Sequence, residues 1–124
     1  MARRAVGHDR TTSADALRRA GVKLLGSIAV VAADEIPTDA MYVIANLDER
    51  GQPGSHWVCR YDGLWHDPLG SGGRKQRAAF VRRVGSQWTD DDAEQARRED
   101  NCGQRCLAAL MTGKQLGREA FQLL

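Results

Sequence analysis

The sequence predicts an α+β domain in which a small sheet packs against helices. Three observations carry this. Short runs of strand length and strand composition, IAVVA, MYVIANL and SHWVCRY, follow one another between residues 28 and 61. The dipeptide Asp62-Gly63 separates the last of them from LWHD, residues 64–67. A two-residue turn needs positive φ at both central positions, so Asp-Gly between strand-like runs marks a tight hairpin. Finally, residues 102–111 (CGQRCLAALM) are apolar helix formers with no proline.

The remaining elements are justified in chain order. Residues 1–12 are polar and basic and read as a flexible lead-in; residues 13–124 form a single domain. Ser13 is placed to cap a short helix over residues 14–20, with Gly21 as its stop. Residues 28–32 are a buried strand, residues 34–37 a turn, residues 41–47 a second strand, and residues 48–54 (DERGQPG) a loop rich in turn formers. The hairpin follows. GSGG, residues 70–73, reads as a flexible loop. Residues 74–84 have helical spacing, with Ala78, Val81 and either Val84 or Phe80 facing inward. Trp88 suits a short strand, and the acidic stretch 89–99 a loop or solvated turn. Gly113 is expected to end the helix begun at Cys102, and residues 118–124 to form a last helix.

Composition excludes several classes. A chain of 124 residues suffices for one domain with a modest core. Its formal charge of +2 is too small to argue for nucleic acid by itself. The cations are nevertheless clustered, at Arg3-Arg4, Arg18-Arg19, Arg74-Lys75-Arg77, Arg82-Arg83 and Arg97-Arg98. No apolar run approaches the roughly 20 residues of a membrane span, and the basic N-terminus lacks the apolar core of a secretory signal. Three cysteines, an odd number, argue against a disulfide framework and for a reducing, intracellular setting.

Cys102 is the residue to explain. A helix N-terminus offers free N–H groups and a partial positive charge, and both stabilise a thiolate. A cysteine there is a potential nucleophile, and the same N–H groups can stabilise the oxyanion of a tetrahedral intermediate. Gly103 permits close approach and leaves room for a substrate. Cys106, one turn later, points to the core as a small hydrophobe. A thiolate needs a base. His8 lies in the lead-in; His56 opens a strand, and His66 and Asp67 close its partner, so the hairpin brings a histidine and an acid to one end of the sheet. The register by itself leaves their exact opposition open. His66 reads as a surface or hairpin residue.

His56-Trp57 after a glycine-rich approach, Asp67 within Asp-Pro-Leu-Gly, Gln95, and Cys102-Gly103 opening a helix resemble adenain, the adenovirus-type cysteine protease. That family includes relatives in large DNA transposons and small DNA viruses, and shares its catalytic plan with the ubiquitin-like-protein proteases. Gln95 precedes Cys102 by seven positions, a spacing the family uses. The resemblance extends over residues 26–111. It implies a fold with a small mixed or antiparallel sheet packed on a central helix led by the nucleophile. It implies Cys102 as nucleophile, His56 as base and then acid, Asp67 as the group orienting the imidazole, and Gln95 as an oxyanion donor. Trp57 would wall the catalytic histidine and, with Gly103, contact substrate. The implied function is viral processing of precursor or capsid-associated proteins next to small residues such as glycine, in the host-cell nucleus or cytoplasm and in the virion. No cofactor or metal is implied. DNA binding through the arginine clusters is a possible addition. The segments that bind the adenovirus enzyme's activating peptide have no counterpart here.

Three other readings compete. A deconjugating enzyme for ubiquitin-like tails has the same catalytic set, but 124 residues leave little surface for a folded partner. A DNA- or capsid-binding module would make the cysteine incidental. Zinc held by His56, Cys59, Cys102 and Cys106 has the right ligand types, but zinc knuckles favour turns over an apolar helix.

Overall fold

The computed structural model describes residues 13–90 and 101–124. Helix α1 (Ala14–Leu25) begins where Ser13 Oγ accepts the Ala16 N–H at 3.2 Å and ends at Gly26, whose φ is 89°. Strands β1 (Ala29–Val31), β2 (Tyr42–Asn46), β3 (Trp57–Tyr61) and β4 (Leu64–His66) follow, then a 3-10 turn over Gly70–Gly73. Helices α2 (Ala78–Val84), α3 (Cys102–Leu116) and α4 (Arg118–Gln122) complete the fold.

The strands lie in sequence order in one mixed sheet, β1 parallel to β2 and the other pairs antiparallel. The Asp62-Gly63 turn forms as expected, with φ of 48° and 81°, and sets Tyr61 opposite Leu64 and Cys59 opposite His66. Alternation then sorts the side chains onto two faces. Val30, Ile44, Trp57, Cys59 and Leu64 join Leu17, Cys106, Leu110 and Phe121 in a core under α1, α3 and α4. Val43, Ala45, Val58 and Trp65 meet Phe80 on the opposite face. The α+β class expected from the sequence is thus what the chain adopts.

Two expected helix stops lie inside helices. Gly21 sits in α1, where a Cβ would come within 2.7 Å of Ile28 Cδ1, and Gly113 sits in α3, where it would come within 2.7 Å of the Tyr61 ring. Each glycine is a point of close packing against a residue remote in the helix pattern. Positive-φ glycines, Gly26 and Gly117, provide the actual ends. α2 begins four residues later than expected and buries Phe80, while Val81 and Val84 are half-buried and Ala78 is exposed. Trp88 forms a single bridge to Trp65 and stacks on it at 5.9 Å between ring centroids. GSGG is a closed turn, with Gly70 and Gly72 N–H bonded to the Asp67 and Leu69 carbonyls. No helix among the described residues is long and apolar enough to cross a membrane.

Candidate active site

The hairpin register brings His56 and Asp67 together. His56 immediately precedes β3 and Asp67 immediately follows β4, so the hairpin delivers both to the same end of the sheet. His56 Nε2 donates to Asp67 Oδ1 at 2.7 Å, and both side chains are buried. The Cys102 thiol lies near enough to the same ring to favour its protonated form. With Nε2 given to Asp67, the nitrogen left for the thiol is Nδ1.

The approach to His56 is fixed by a residue the sequence reading passed over. Asn46, the last residue of β2, is buried and accepts the Asp48 N–H at 2.9 Å and the Ser55 N–H at 3.2 Å with one side-chain oxygen. This closes the 48–55 loop at its base. A backbone bond from Leu47 N–H to the His56 carbonyl, 3.0 Å, extends the pairing of β2 and β3 to His56.

Asp67 is held at both oxygens. Oδ1 also accepts the Leu69 N–H at 2.9 Å, an Asx-type turn at Pro68. Oδ2 accepts from Arg77 Nη1 at 2.9 Å. Arg77 is buried, and its Nη1 also donates to the Gly70 carbonyl at 2.8 Å. Its guanidinium carbon lies 4.8 Å from the centre of the Trp88 ring. Although Arg77 belongs to one of the clusters of cations in the sequence, its side chain turns inward.

Burial raises the cost of ionising either group. For His56 it acts to lower the pKa, but the Asp67 and Cys102 hydrogen bonds and their negative charge outweigh it and bring the value to about 9. For Asp67 burial acts to raise the pKa, and the His56 bond, the Leu69 N–H and Arg77 outweigh it, leaving it below the ordinary carboxylate value. The imidazole is therefore built to carry a proton beside an ionised carboxylate. Cys106 differs from Cys102. Complete burial, and then contact with Cys59, pushes its thiol well above the ordinary value, and its Sγ faces the Trp57 carbonyl at 3.5 Å. It stays a neutral core thiol, as expected.

Cys102 is the first residue of α3, as expected. Asn101 precedes it at the cap position, where asparagine usually bonds a first-turn N–H, yet its side chain makes no such bond. The first-turn donors of α3 are thus not met by a capping side chain.

The other expected site residues fall as follows. Trp57 is largely buried in the core and also borders a groove of about 440 Å³. The first turn of α1, the edge of β1 and loop residues 48–54 form the rest of its walls. Gly103 is buried against α1: a Cβ there would lie 2.9 Å from Leu17 Cδ2, so the missing side chain serves helix packing. Gln95 lies outside the described residues, as do residues 1–12 with Arg3, Arg4 and His8, and Arg97 and Arg98. His66 is no surface residue. It is fully buried, hydrogen-bonds Thr89 Oγ1 at 2.9 Å and meets Phe121 edge-on, because register places it in the Ile44–Cys59 row facing the helices. Of the described arginines, Arg18 pairs with Asp15 and the Val30 carbonyl, and Arg83 with Glu49 and the Ala33 carbonyl. Among the described residues no three His, Cys, Asp or Glu side chains form a metal-binding group. Comparison with protein-family models, curated proteins and solved structures returned no match.

Proposed function

We propose that this chain is a cysteine endopeptidase. The observation that carries the reading is the buried His56–Asp67 pair at 2.7 Å, whose imidazole is also influenced by the thiol leading α3. In the reaction, His56 Nδ1 takes the Cys102 proton and Sγ attacks the scissile carbonyl carbon. The resulting oxyanion meets the first-turn N–H groups of α3 and, by the family resemblance, the Gln95 amide. Collapse breaks the C–N bond as the imidazolium gives its proton to the leaving nitrogen. Water, deprotonated by His56, then releases the acyl group and regenerates the thiol. Asp67 accepts from Nε2 throughout and stabilises the charged ring.

The groove lined by Gly54 and Trp57, which flank His56 in the sequence, is where an extended peptide would lie. By resemblance, the substrates are viral precursor or capsid-associated proteins cut next to glycine in the infected cell and virion. A peptide library digested by wild type, Cys102→Ala and His56→Ala and read by mass spectrometry tests this. Cleavage by wild type beside small residues, lost in Cys102→Ala, is expected; cleavage that survives Cys102→Ala would sink the reading.

A further inference from the structure

We propose that Arg77 is a positioning residue that fixes the Asp67 carboxylate so that Oδ1 faces His56. The proposal deepens the protease reading and rests on its assignment of Asp67 as the orienting group. A carboxylate can rotate about its bond to Cβ, and only part of that rotation aims an oxygen at the imidazole. Three contacts restrict that rotation here. Arg77 Nη1 binds Oδ2 at 2.9 Å, the Leu69 N–H binds Oδ1 at 2.9 Å, and Gly73 closes the space beside Oδ2. A Cβ at position 73 would stand 2.4 Å from Oδ2 and 3.0 Å from Leu69 Cβ, so nothing larger than glycine fits while Asp67 keeps this pose.

Arg77 is itself fixed. It donates to the Gly70 carbonyl at 2.8 Å and its guanidinium lies over Trp88, so the turn, α2 and the Trp88 bridge all set its place. An arginine suits the task better than a lysine, because a planar group can bond Oδ2 and a carbonyl while stacking on a ring. The charged groups around His56 are Asp67 from the hairpin and Cys102 from α3, with Arg77 behind Asp67.

Position and charge predict opposite signs, which makes the proposal testable without a substrate. Removing a cation two contacts from His56 would, by charge alone, raise the imidazole pKa. Releasing Asp67 from its rotamer lowers it, because the acceptor is lost. The experiment is a ¹⁵N NMR titration of the His56 ring in wild type, Arg77→Gln, Arg77→Lys and Gly73→Ala. The alkylation rate of Cys102 by iodoacetamide is measured alongside. In Arg77→Gln the His56 value is expected to fall from about 9 toward 6.5. Cys102 alkylation at neutral pH is expected to slow by about tenfold. Arg77→Lys, which keeps the charge and one bond, should be intermediate. Gly73→Ala keeps every charge and displaces only the carboxylate, so it should shift His56 in the same direction; it decides the matter if Arg77→Gln does not fold. A rise in Arg77→Gln, or an unchanged value in folded Gly73→Ala, would overturn the proposal. If the shifts appear but wild type cleaves no peptide, the positioning role stands and the protease reading fails.

Discussion

At the residue scale, the question is why an imidazole almost out of water should hold its proton. Desolvation alone favours the neutral ring. Asp67 reverses the outcome because it is ionised, 2.7 Å away and unable to turn aside. Asp67→Asn keeps the shape and removes the charge. The His56 value, about 9 in wild type, should then drop to 6.5 or below, since burial is left with less to oppose it. With the imidazolium gone, kcat/KM should fall by about 10²–10⁴, the range for losing acid–base function. A ring titration and a rate measured on the same preparation check both. The three thiols should also separate. All three thiols are buried, so labelling reads local opening as well as chemistry; Cys102, beside His56, should be alkylated faster than Cys106, whose thiol burial pushes up, and should lose that advantage in His56→Ala. Equal labelling of Cys102 and Cys106 would mean that the helix-end thiol has no special chemistry.

At the element scale, α3 must lie close to both α1 and β3 for its first residue to reach His56. Gly103 allows the approach to Leu17, and Gly113 the approach to the Tyr61 ring. Gly113→Ala sets two effects against each other. Alanine improves an isolated helix by about 1 kcal/mol. Against that, its Cβ would sit 2.7 Å from Tyr61 Cγ, the stem of a ring packed on Phe121 and Tyr42, which has little room to yield. Overpacking of this kind typically costs about 1–3 kcal/mol, so net destabilisation is expected, read as a lower urea midpoint with an unchanged slope. The same contact explains what the sequence concealed. A glycine near the end of a helical pattern looks like a stop, and the residue that makes it a packing point lies on β3, 52 positions away from Gly113. Asp62-Gly63 was legible because its turn chemistry is local; Gly21 and Gly113 were not, because their reason is tertiary.

At the scale of the whole molecule, the same contrast runs through the site. His56, Asp67 and Cys102 were legible as residue types on hairpin and helix ends, and the mixed sheet brings these ends together. Arg77, Asn46 and the burial of His66 were not. An arginine within Arg74-Lys75-Arg77 looks solvated until the Gly70–Gly73 turn folds over Asp67 and leaves a buried carboxylate oxygen for it to meet. The site is consequently built into the fold's stability, and pH should expose this. His56 has its pKa raised by folding, so it contributes stability that is complete below 6.5 and gone above about 9. Its full contribution is on the order of 3 kcal/mol at most. Asp67 has its pKa lowered, so its contribution is present above 3.8 and is lost as pH falls through the lower folded value. These are two views of one interaction and do not add. Urea unfolding of wild type should therefore show stability declining from pH 6.5 to about 9, before lysines and tyrosines titrate. His56→Ala should be less stable at neutral pH and flat from pH 6.5 to about 8, below the range in which free thiols ionise. If the two proteins keep parallel curves, the imidazole gains no proton on folding, and the charged pair assigned to His56 and Asp67 would have to be abandoned.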